Sequence, residues 1–248
     1  MVTVFVSSKL PKDRLKKGHV PSSISVRTKG VTLRLPTDLI AVGAARGRAQ
    51  ALAPGDAVKS PSGSGRLSWA ANGLAVTAEH VAGFASLGAS IVGPTGAIGK
   101  VSKLGYQVDK VDAVLIDLIP GTPITNVVAG RTIGEPRYAN DSDMYSPSTG
   151  RKAWVYLSHS GVFEQVAVRH LHVGPFFKLT SADGTEFTPR PLAMTDLCTD
   201  FGDSGTVLLG ADNRPLALLS GIVDAQDGHS YSIFTELGPA LDSLKVNW

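Results

Sequence analysis

Short apolar runs separated by turn residues make up most of this chain. The run Val2–Val6 alternates in the manner of a strand. The runs SISVRT and VTLRLP, joined at Lys29-Gly30, predict one or two further strands in the N-terminal part. Later strands are predicted at Ala153–Leu157, Val162–Val168, Leu216–Val223 and Ser230–Phe234. The 27 glycines and 15 prolines supply the turns, and together these features predict an all-β protein.

One segment near the C-terminus has a different period. Leu237, Ala240, Leu241 and Leu244 recur at helical spacing, which predicts a short helix with one apolar face. No apolar run approaches the roughly 20 residues that are needed to cross a bilayer, so we expect no membrane insertion.

Charge and cysteine content narrow the function classes. The formal net charge is +3, and basic residues gather at Lys9–Lys17 and at Arg46 and Arg48. No aromatic platform accompanies them, so we favour a solvated face, with nucleic-acid binding by the basic N-terminal segment as the alternative. Cys198 is the single cysteine. The basic residues follow the first apolar run, which is the reverse of a secretory signal, and we therefore expect a cytoplasmic protein.

The clearest chemical signal is the string TDFGDSGTVLL, which contains Gly202-Asp203-Ser204-Gly205. A serine hydroxyl becomes a good nucleophile only when a base removes its proton and donors await the oxyanion. Glycines on both sides of Ser204 permit a tight turn that presents backbone N–H groups. A GDSG string alone also forms ordinary turns, so it does not separate these two roles.

Two further motifs precede it in a telling order. GSGRLSW (63–69) is followed by NGLAVTAEHV (72–81), and VDAVLI (111–116) lies between these and Ser204. With His, Asp and Ser in this order, the chain resembles the chymotrypsin/trypsin-like serine peptidases of bacterial intracellular type over roughly residues 38–245.

The resemblance implies two six-stranded Greek-key barrels of the trypsin-like type, a short C-terminal helix and a small N-terminal extension. We expect residues 1–37 to form the extension, packed on the barrels, and residues 38–248 to form the peptidase domain. Within that domain, residues 38–120 would form the first barrel and 121–150 the connection. Residues 151–248 would form the second barrel with the helix.

The resemblance also assigns a catalytic triad. His80 would be the general base, Asp112 the carboxylate that orients its ring, and Ser204 the nucleophile. Asp109 and Asp117 compete with Asp112, but Asp112 best fits the pattern of an Asp before an apolar strand. The backbone N–H groups of Gly202 and Ser204 would form the oxyanion hole. No metal and no organic cofactor is implied.

Asp203 raises a separate question, because a buried, unpaired carboxylate is costly. No N-terminal segment of the kind that neutralises this residue in many relatives precedes the barrel. We expect an internal Arg or Lys to pair with Asp203.

The expected substrate contacts depart from the usual pattern. The resemblance implies that Cys198 would form the floor of the pocket for P1, the substrate residue whose carbonyl is attacked, and that Thr199 and Ser232 would add small polar walls. We expect small or medium uncharged P1 side chains. Ile222 and Val223 match the strand that pairs with a bound peptide. Asp224 stands where a serine that touches the catalytic Asp is usual, so either the alignment slips by a residue or Asp224 points into the cleft.

These residues predict a serine endopeptidase that acts on protein or peptide substrates. We expect it to have a narrow target or to need an activating protein partner. The alternative is a catalytically latent trypsin-like protein that serves as a binding or scaffold module.

Overall fold

The structure is a computed structural model that describes most of the chain. The described residues are 2–6, 23–28, 31–41, 51–84, 87–148, 150, 152–158, 160–174, 178–181, 184–200, 202–224 and 229–248. The chain forms two compact units, Met1–Arg48 and Ala49–Trp248.

The first unit contains a three-stranded sheet. Its strands are β1 (Val2–Val6), β2 (Ser23–Thr28) and β3 (Val31–Ala41). The central strand β3 runs parallel to β1 and antiparallel to β2. These strands lie where the sequence predicts them, although β3 continues through the expected boundary at residue 37. The basic segment Lys9–Lys17 and the turn Lys29-Gly30 lie outside the described residues, and the packing of this unit on the barrels stays a prediction.

The second unit begins with a seven-stranded antiparallel sheet. Its strands are β4 (Ala57–Lys59), β5 (Ser64–Arg66), β6 (Trp69–Ala71), β7 (Leu74–Thr77), β8 (Ser90–Gly93), β9 (Gly96–Leu104) and β10 (Val114–Leu118). They lie in the order β5-β4-β8-β9-β10-β7-β6. A short helix, α1 (Tyr106–Asp109), lies between β9 and β10.

The predicted connection contains little regular structure. It holds the two-residue strands β11 (Val127–Val128) and β12 (Arg131–Thr132), which pair with each other, and a 3-10 turn at Asp141–Asp143. Arg137 donates hydrogen bonds to the carboxylates of Asp143 and Asp212, which ties this segment to the second half of the unit.

A second seven-stranded sheet follows the connection. The strands of this part are β13 (Ala153–Leu157), β14 (Val162–Val166), β15 (Val168–Val173), β16 (Leu179–Thr180), β17 (Glu186–Phe187), β18 (Leu192–Asp196), β19 (Val207–Leu209), β20 (Pro215–Asp224) and β21 (Ser230–Glu236). The sheet has the order β14-β13-β19-β20-β21-β18-β15, and β16 and β17 form a separate hairpin. The helix α2 (Leu237–Ser243) follows β21 directly.

The two large sheets repeat one topology. The neighbours β8-β9-β10-β7 correspond to β19-β20-β21-β18, and both sets have Greek-key order. One difference stands out between the halves. In the first sheet, β6 and β7 are joined by Asn72-Gly73, where both residues have the positive φ of a tight hairpin turn. In the second sheet, the corresponding connection from β15 to β18 carries the extra hairpin β16–β17.

The C-terminal helix joins the two halves through the core. Leu237 and Leu241 of α2 belong to the same buried cluster as Trp69, Val76 and Leu115 of the first sheet. The helix nevertheless follows the last strand of the second sheet. The end of the chain is therefore held by the apolar interior of the first half.

The all-β architecture in two halves with a C-terminal helix is confirmed, with seven described strands in each large sheet where six were expected. None of the helices in the described part of the chain is long and apolar enough to cross a membrane.

The buried apolar cluster of the second large sheet contains Phe234, and we expect a strong effect on stability when this side chain is truncated. This side chain is fully buried and lies in β21 between Ala193 and Leu219 on the adjoining strands. Replacing Phe234→Ala leaves a cavity, and we expect it to lower the free energy of unfolding by about 3–5 kcal/mol, measured by urea denaturation.

The matched control is Val162→Ala, because Val162 is 47% exposed on β14 of the same sheet. We expect this change to alter stability by less than about 0.5 kcal/mol. Equal effects of the two substitutions would contradict the assignment of Phe234 to the core.

Candidate active site

His80 lies in a tight turn directly after β7. Residues Glu79–Ala82 form one 3-10 turn, which ends at Gly83 in the left-handed region (φ 68°). The backbone N–H of Gly83 donates to the carbonyl of His80 at 2.9 Å. A side chain at Gly83 would lie 2.1 Å from the Cβ of Ser62, so only glycine fits there. The buried strand and this turn together place His80 just beyond the C-terminal end of β7.

Asp112 fixes the imidazole of His80. Its carboxylate is fully buried and accepts two hydrogen bonds from the same residue, one from the His80 backbone N–H at 3.0 Å and one from ring Nδ1 at 2.8 Å. With Nδ1 held in this way, the opposite ring nitrogen, Nε2, is left to exchange protons with a substrate or nucleophile.

The two competing carboxylates lie elsewhere. Asp109 in α1 accepts a hydrogen bond from the hydroxyl of Ser243 at 2.6 Å, and the exposed Asp117 on β10 accepts one from Ser102 at 2.7 Å. Asp112 is therefore the one of these three carboxylates that contacts His80.

The turn that carries Ser204 is bound to both sheets. The carbonyl of Ser204 accepts a hydrogen bond from the backbone N–H of Arg66 at 2.7 Å, and Gly205 donates to the carbonyl of Leu219 at 2.8 Å. A Cβ on Gly65 would lie 2.4 Å from the Ser204 carbonyl oxygen and 2.5 Å from Val81, the residue after His80. Gly65 thus lets the serine turn approach the histidine turn closely. Within the described part of the chain, the hydroxyl of Ser204 has no hydrogen-bond partner.

The expected oxyanion donors lie in this same turn. Gly202 is exposed and has φ 90°, a conformation that favours glycine. The N–H of Asp203 donates to the carbonyl of Asp200, and that of Thr206 donates to the carbonyl of Asp203. The N–H groups of Gly202 and Ser204 donate to no acceptor among the described residues, so both are free to bind an anionic oxygen.

Asp203 contacts backbone N–H groups in the described part of the chain, where an internal cation was expected. It is fully buried, and its carboxylate accepts hydrogen bonds from the backbone N–H of Ser158 at 3.2 Å and of Asp200 at 3.1 Å. No Arg or Lys in the described ranges lies within ion-pair distance of it. The prediction of an internal cation is therefore not met by any described residue. Dipoles of backbone N–H groups stabilise this charge, as they do at other buried carboxylates.

The residues expected to form the P1 pocket lie together. Ser232 on β21 contacts the Thr199 hydroxyl at 2.8 Å and accepts a hydrogen bond from the backbone N–H of Cys198 at 3.1 Å. Burial raises the pKa of the Cys198 thiol, so the neutral thiol prevails near neutral pH. The three side chains are small and uncharged, and the preference for an uncharged P1 residue stays a prediction.

The strand expected to pair with substrate is β20. Ile222 and Val223 are half-buried on it, and Asp224 is exposed at its end, where it accepts a hydrogen bond from the hydroxyl of Ser230. Asp224 makes no described contact with Asp112. The serine in this region is Ser220, which shares a hydrogen bond of 2.7 Å with Thr235.

Glu79 is a buried carboxylate that sequence reasoning missed. Its side chain is fully buried; Oε2 accepts a hydrogen bond from the backbone N–H of Tyr106 at 2.7 Å, and Oε1 has no described partner. Burial raises the pKa of Glu79 from 4.5 to about 7; the Tyr106 N–H opposes this rise and the Asp112 charge adds to it. An acidic residue between Ala78 and His80 was a visible signal, because a carboxylate directly before His80 is bound to lie near the site.

An aromatic contact on His80 was also missed. The ring of Phe187 stacks on the imidazole with 5.2 Å between centroids and 24° between planes. Phe187 belongs to the hairpin β16–β17, far from His80 in sequence. No local pattern indicated this contact.

The described residues contain no group of three or more His, Cys, Asp or Glu side chains placed to hold a metal ion.

The raised pKa of Glu79 predicts a pH-dependent stability. The folded state holds this proton more tightly than the unfolded chain, so the stabilisation is complete below pH 4.5 and is lost as the pH rises through 7. Glu79→Gln removes this titration. The native chain should lose about 2 kcal/mol of unfolding free energy between pH 5 and pH 8 that the variant does not lose, measured by urea denaturation at both pH values.

The control for this change is Glu164→Gln, because Glu164 is exposed on β14. The difference in unfolding free energy between this variant and the native chain should be the same at both pH values. A Glu79→Gln difference that also stays constant with pH would disprove the raised pKa.

Comparison with known proteins gives information on the fold. No protein-family model and no curated protein sequence matches the chain. Among solved structures, Cellulomonas bogoriensis chymotrypsin is similar, with a TM-score of 0.58 and 20% identity over 78% of this chain and 96% of that one. Nocardiopsis protease gives a TM-score of 0.56 and 19% identity, with the same coverage of both chains. Thermobifida fusca protease A gives 0.55 and 17%, over 79% and 96%. At these identities the likeness concerns the fold, and the chain has the two-barrel fold of bacterial chymotrypsin/trypsin-like serine proteases.

Proposed function

We propose that this chain is a serine endopeptidase that hydrolyses peptide bonds through an acyl-enzyme. The observation that carries the proposal is the buried Asp112 carboxylate, which accepts hydrogen bonds from both the backbone and the ring of His80. This pair lies in a chain with the fold of bacterial serine proteases, beside a serine turn in which the N–H groups of Gly202 and Ser204 have no acceptor among the described residues. Each element is needed for acyl transfer, and together they favour this chemistry over simple binding.

In the acylation step, the hydroxyl oxygen of Ser204 attacks the peptide carbonyl and its proton passes to Nε2 of His80. Asp112 stabilises the imidazolium that forms. The negative oxygen of the tetrahedral intermediate accepts hydrogen bonds from the N–H groups of Gly202 and Ser204. The carbon–nitrogen bond then breaks, His80 returns the proton to the leaving amine, and the acyl group remains as an ester of Ser204.

In the deacylation step, water takes the place of the amine. His80 accepts a proton from the water as its oxygen attacks the ester carbonyl. The bond to the Ser204 oxygen breaks, and the serine recovers its proton from His80. The peptide leaves as a carboxylic acid, and the site returns to its starting state.

Substrate binding uses the free edge of β20. From Gly221 to Asp224 this strand pairs with β21 on one side, while its ladder with β19 ends at Leu218. An extended peptide would add there through backbone hydrogen bonds, with Ile222, Val223 and Asp224 beside it. Cys198, Thr199 and Ser232 would receive a small or medium uncharged P1 side chain.

A catalytically latent protein that binds without cleaving is the second candidate. One observation favours it: the Ser204 hydroxyl has no hydrogen bond to His80 among the described contacts. Catalytic hydrogen bonds are often long without substrate and shorten on binding, which is compatible with the first candidate. A narrow target, or an activating protein partner that closes this contact, would reconcile both observations with one enzyme.

Labelling with a fluorophosphonate tests the proposal. Ser204 should attack phosphorus, release fluoride and become covalently labelled, because His80 takes its proton and the oxyanion donors bind the phosphoryl oxygen. We expect labelling of the native chain, detected by mass spectrometry, and none of Ser204→Ala.

The control is Ser90→Ala, a change of an exposed serine on β8, which should label like the native chain. Absence of label on the native chain would favour the latent candidate. Equal label on Ser204→Ala would place the nucleophile elsewhere.

Asp112 should be essential for the rate of this reaction. In Asp112→Asn the amide cannot accept both hydrogen bonds from His80, and the ring loses the tautomer it needs. We expect the labelling rate constant to fall by about 10⁴-fold, with the fold retained.

Asp117→Asn provides the matched control, since Asp117 is exposed and makes no described contact with His80. Its labelling rate should equal that of the native chain. Comparable losses in both variants would show that Asp112 has no special role.

A further inference from the structure

The hairpin β16–β17 contacts two parts of the candidate site, His80 and strand β20. It lies in the connection from β15 to β18, at the position where the first sheet has only the turn Asn72-Gly73. Leu179 and Phe187 are cross-strand partners in this hairpin, and both are buried, at 5% and 2% exposed. The hairpin therefore presents one paired apolar surface, which we call the Leu179/Phe187 pair.

Phe187 covers one face of the His80 ring and is held there from two sides. Its ring lies 5.2 Å from that of Phe84 and 6.0 Å from that of Tyr106, both in edge-on geometry. The hydroxyl of Tyr106 accepts a hydrogen bond from the backbone N–H of Thr188 at 3.0 Å, which fixes the chain next to Phe187. Only 10% of the His80 side chain remains exposed. The face under Phe187 is closed to a substrate side chain.

Leu179 reaches the substrate-binding strand. A Cβ on Gly221 would lie 3.3 Å from both methyl carbons of Leu179, so this side chain packs directly on β20 where its free edge begins. The Leu179/Phe187 pair thus extends from the start of the free edge to the imidazole. A peptide bound along β20 has to pass beside this pair.

The direction of side chains along an extended peptide determines which substrate residue lies beside the Leu179/Phe187 pair. Successive side chains of a strand point to opposite sides. When P1 enters the pocket of Cys198, Thr199 and Ser232, the side chain of the preceding residue, P2, points away from that pocket. We infer that the Leu179/Phe187 pair fills the space for this side chain and restricts P2 to glycine or alanine. The inference rests on the proposed function and adds a specificity-determining role for Phe187.

Two peptidyl phosphonates test this role on the full chain. Both have alanine at P1, and P2 is either glycine or leucine. In each reaction the Ser204 oxygen bonds to phosphorus, phenoxide leaves, and the serine proton passes to His80. The ratio of the two labelling rates on one sample does not depend on the fraction of folded protein. We expect the glycine probe to react at least about tenfold faster with the native chain.

Three variants separate specificity from stability. In Phe187→Ala we expect the ratio to fall to about threefold or less, because the leucine probe accelerates as space opens over His80. Phe187→Leu, which keeps an apolar side chain, should give an intermediate ratio. Phe163→Ala is the matched control, since Phe163 also forms an aromatic pair, with Tyr156 at 5.4 Å, away from His80. Its ratio should remain native.

Several outcomes would overturn the inference. Equal rates of the two probes on the native chain would show that P2 is unrestricted. An unchanged ratio in Phe187→Ala would remove Phe187 from specificity, and equal acceleration of both probes would make the hairpin a general barrier. Fluorophosphonate labelling of the same samples distinguishes these results from failure of the proposed function, because only that failure, which also overturns the inference, abolishes labelling altogether.

Discussion

The two hydrogen bonds between Asp112 and His80 are the interaction on which the site depends. A fully buried carboxylate is unfavourable unless donors surround it, and here one residue supplies a backbone and a ring donor. The backbone bond ties the turn after β7 to the segment before β10, and the ring bond sets the imidazole. The orientation of His80 is therefore a consequence of how the first sheet folds. It does not require substrate.

The second constraint is the close approach of the serine turn to the first sheet. The hydrogen bond from Arg66 N–H to the Ser204 carbonyl brings the two backbones together, and a side chain at Gly65 would collide with both Ser204 and Val81. Gly205 meets the same limit, since its Cβ would lie 2.3 Å from the carbonyl of Arg66. The proposed nucleophile and base belong to segments of different sheets, so the absence of side chains at these glycines is what allows the two segments to approach each other.

Three fully buried carboxylates surround the site, and each is accommodated in a different way. Asp112 receives donors from His80, and Asp203 receives backbone N–H groups from Ser158 and Asp200. Glu79 has one backbone donor and one oxygen without a described partner, and burial raises its pKa to about 7. Glu79 has the fewest described donors of the three, and its raised pKa follows from the high free energy of an unpaired buried charge.

The sequence by itself determined several of the strands, the helix after β21 and the order of His80, Asp112 and Ser204, because alternation, helical spacing and short motifs are local. It did not predict the hairpin β16–β17, and it predicted Val162–Val168 as one strand where the structure has β14 and the start of β15. It favoured Asp112 over Asp109 and Asp117 through the apolar strand that follows it. The surroundings of Asp203, the raised pKa of Glu79 and the stacking of Phe187 on His80 were decided by the tertiary structure alone. Each depends on segments distant in sequence: Ser158 precedes Asp203 by 45 residues, and Phe187 lies in β17 whereas His80 follows β7. The two barrels were implied only by the family resemblance, and the pairing of particular strands was decided by the tertiary structure, since strand order is set by which edges pair and many different side chains satisfy the same pairing.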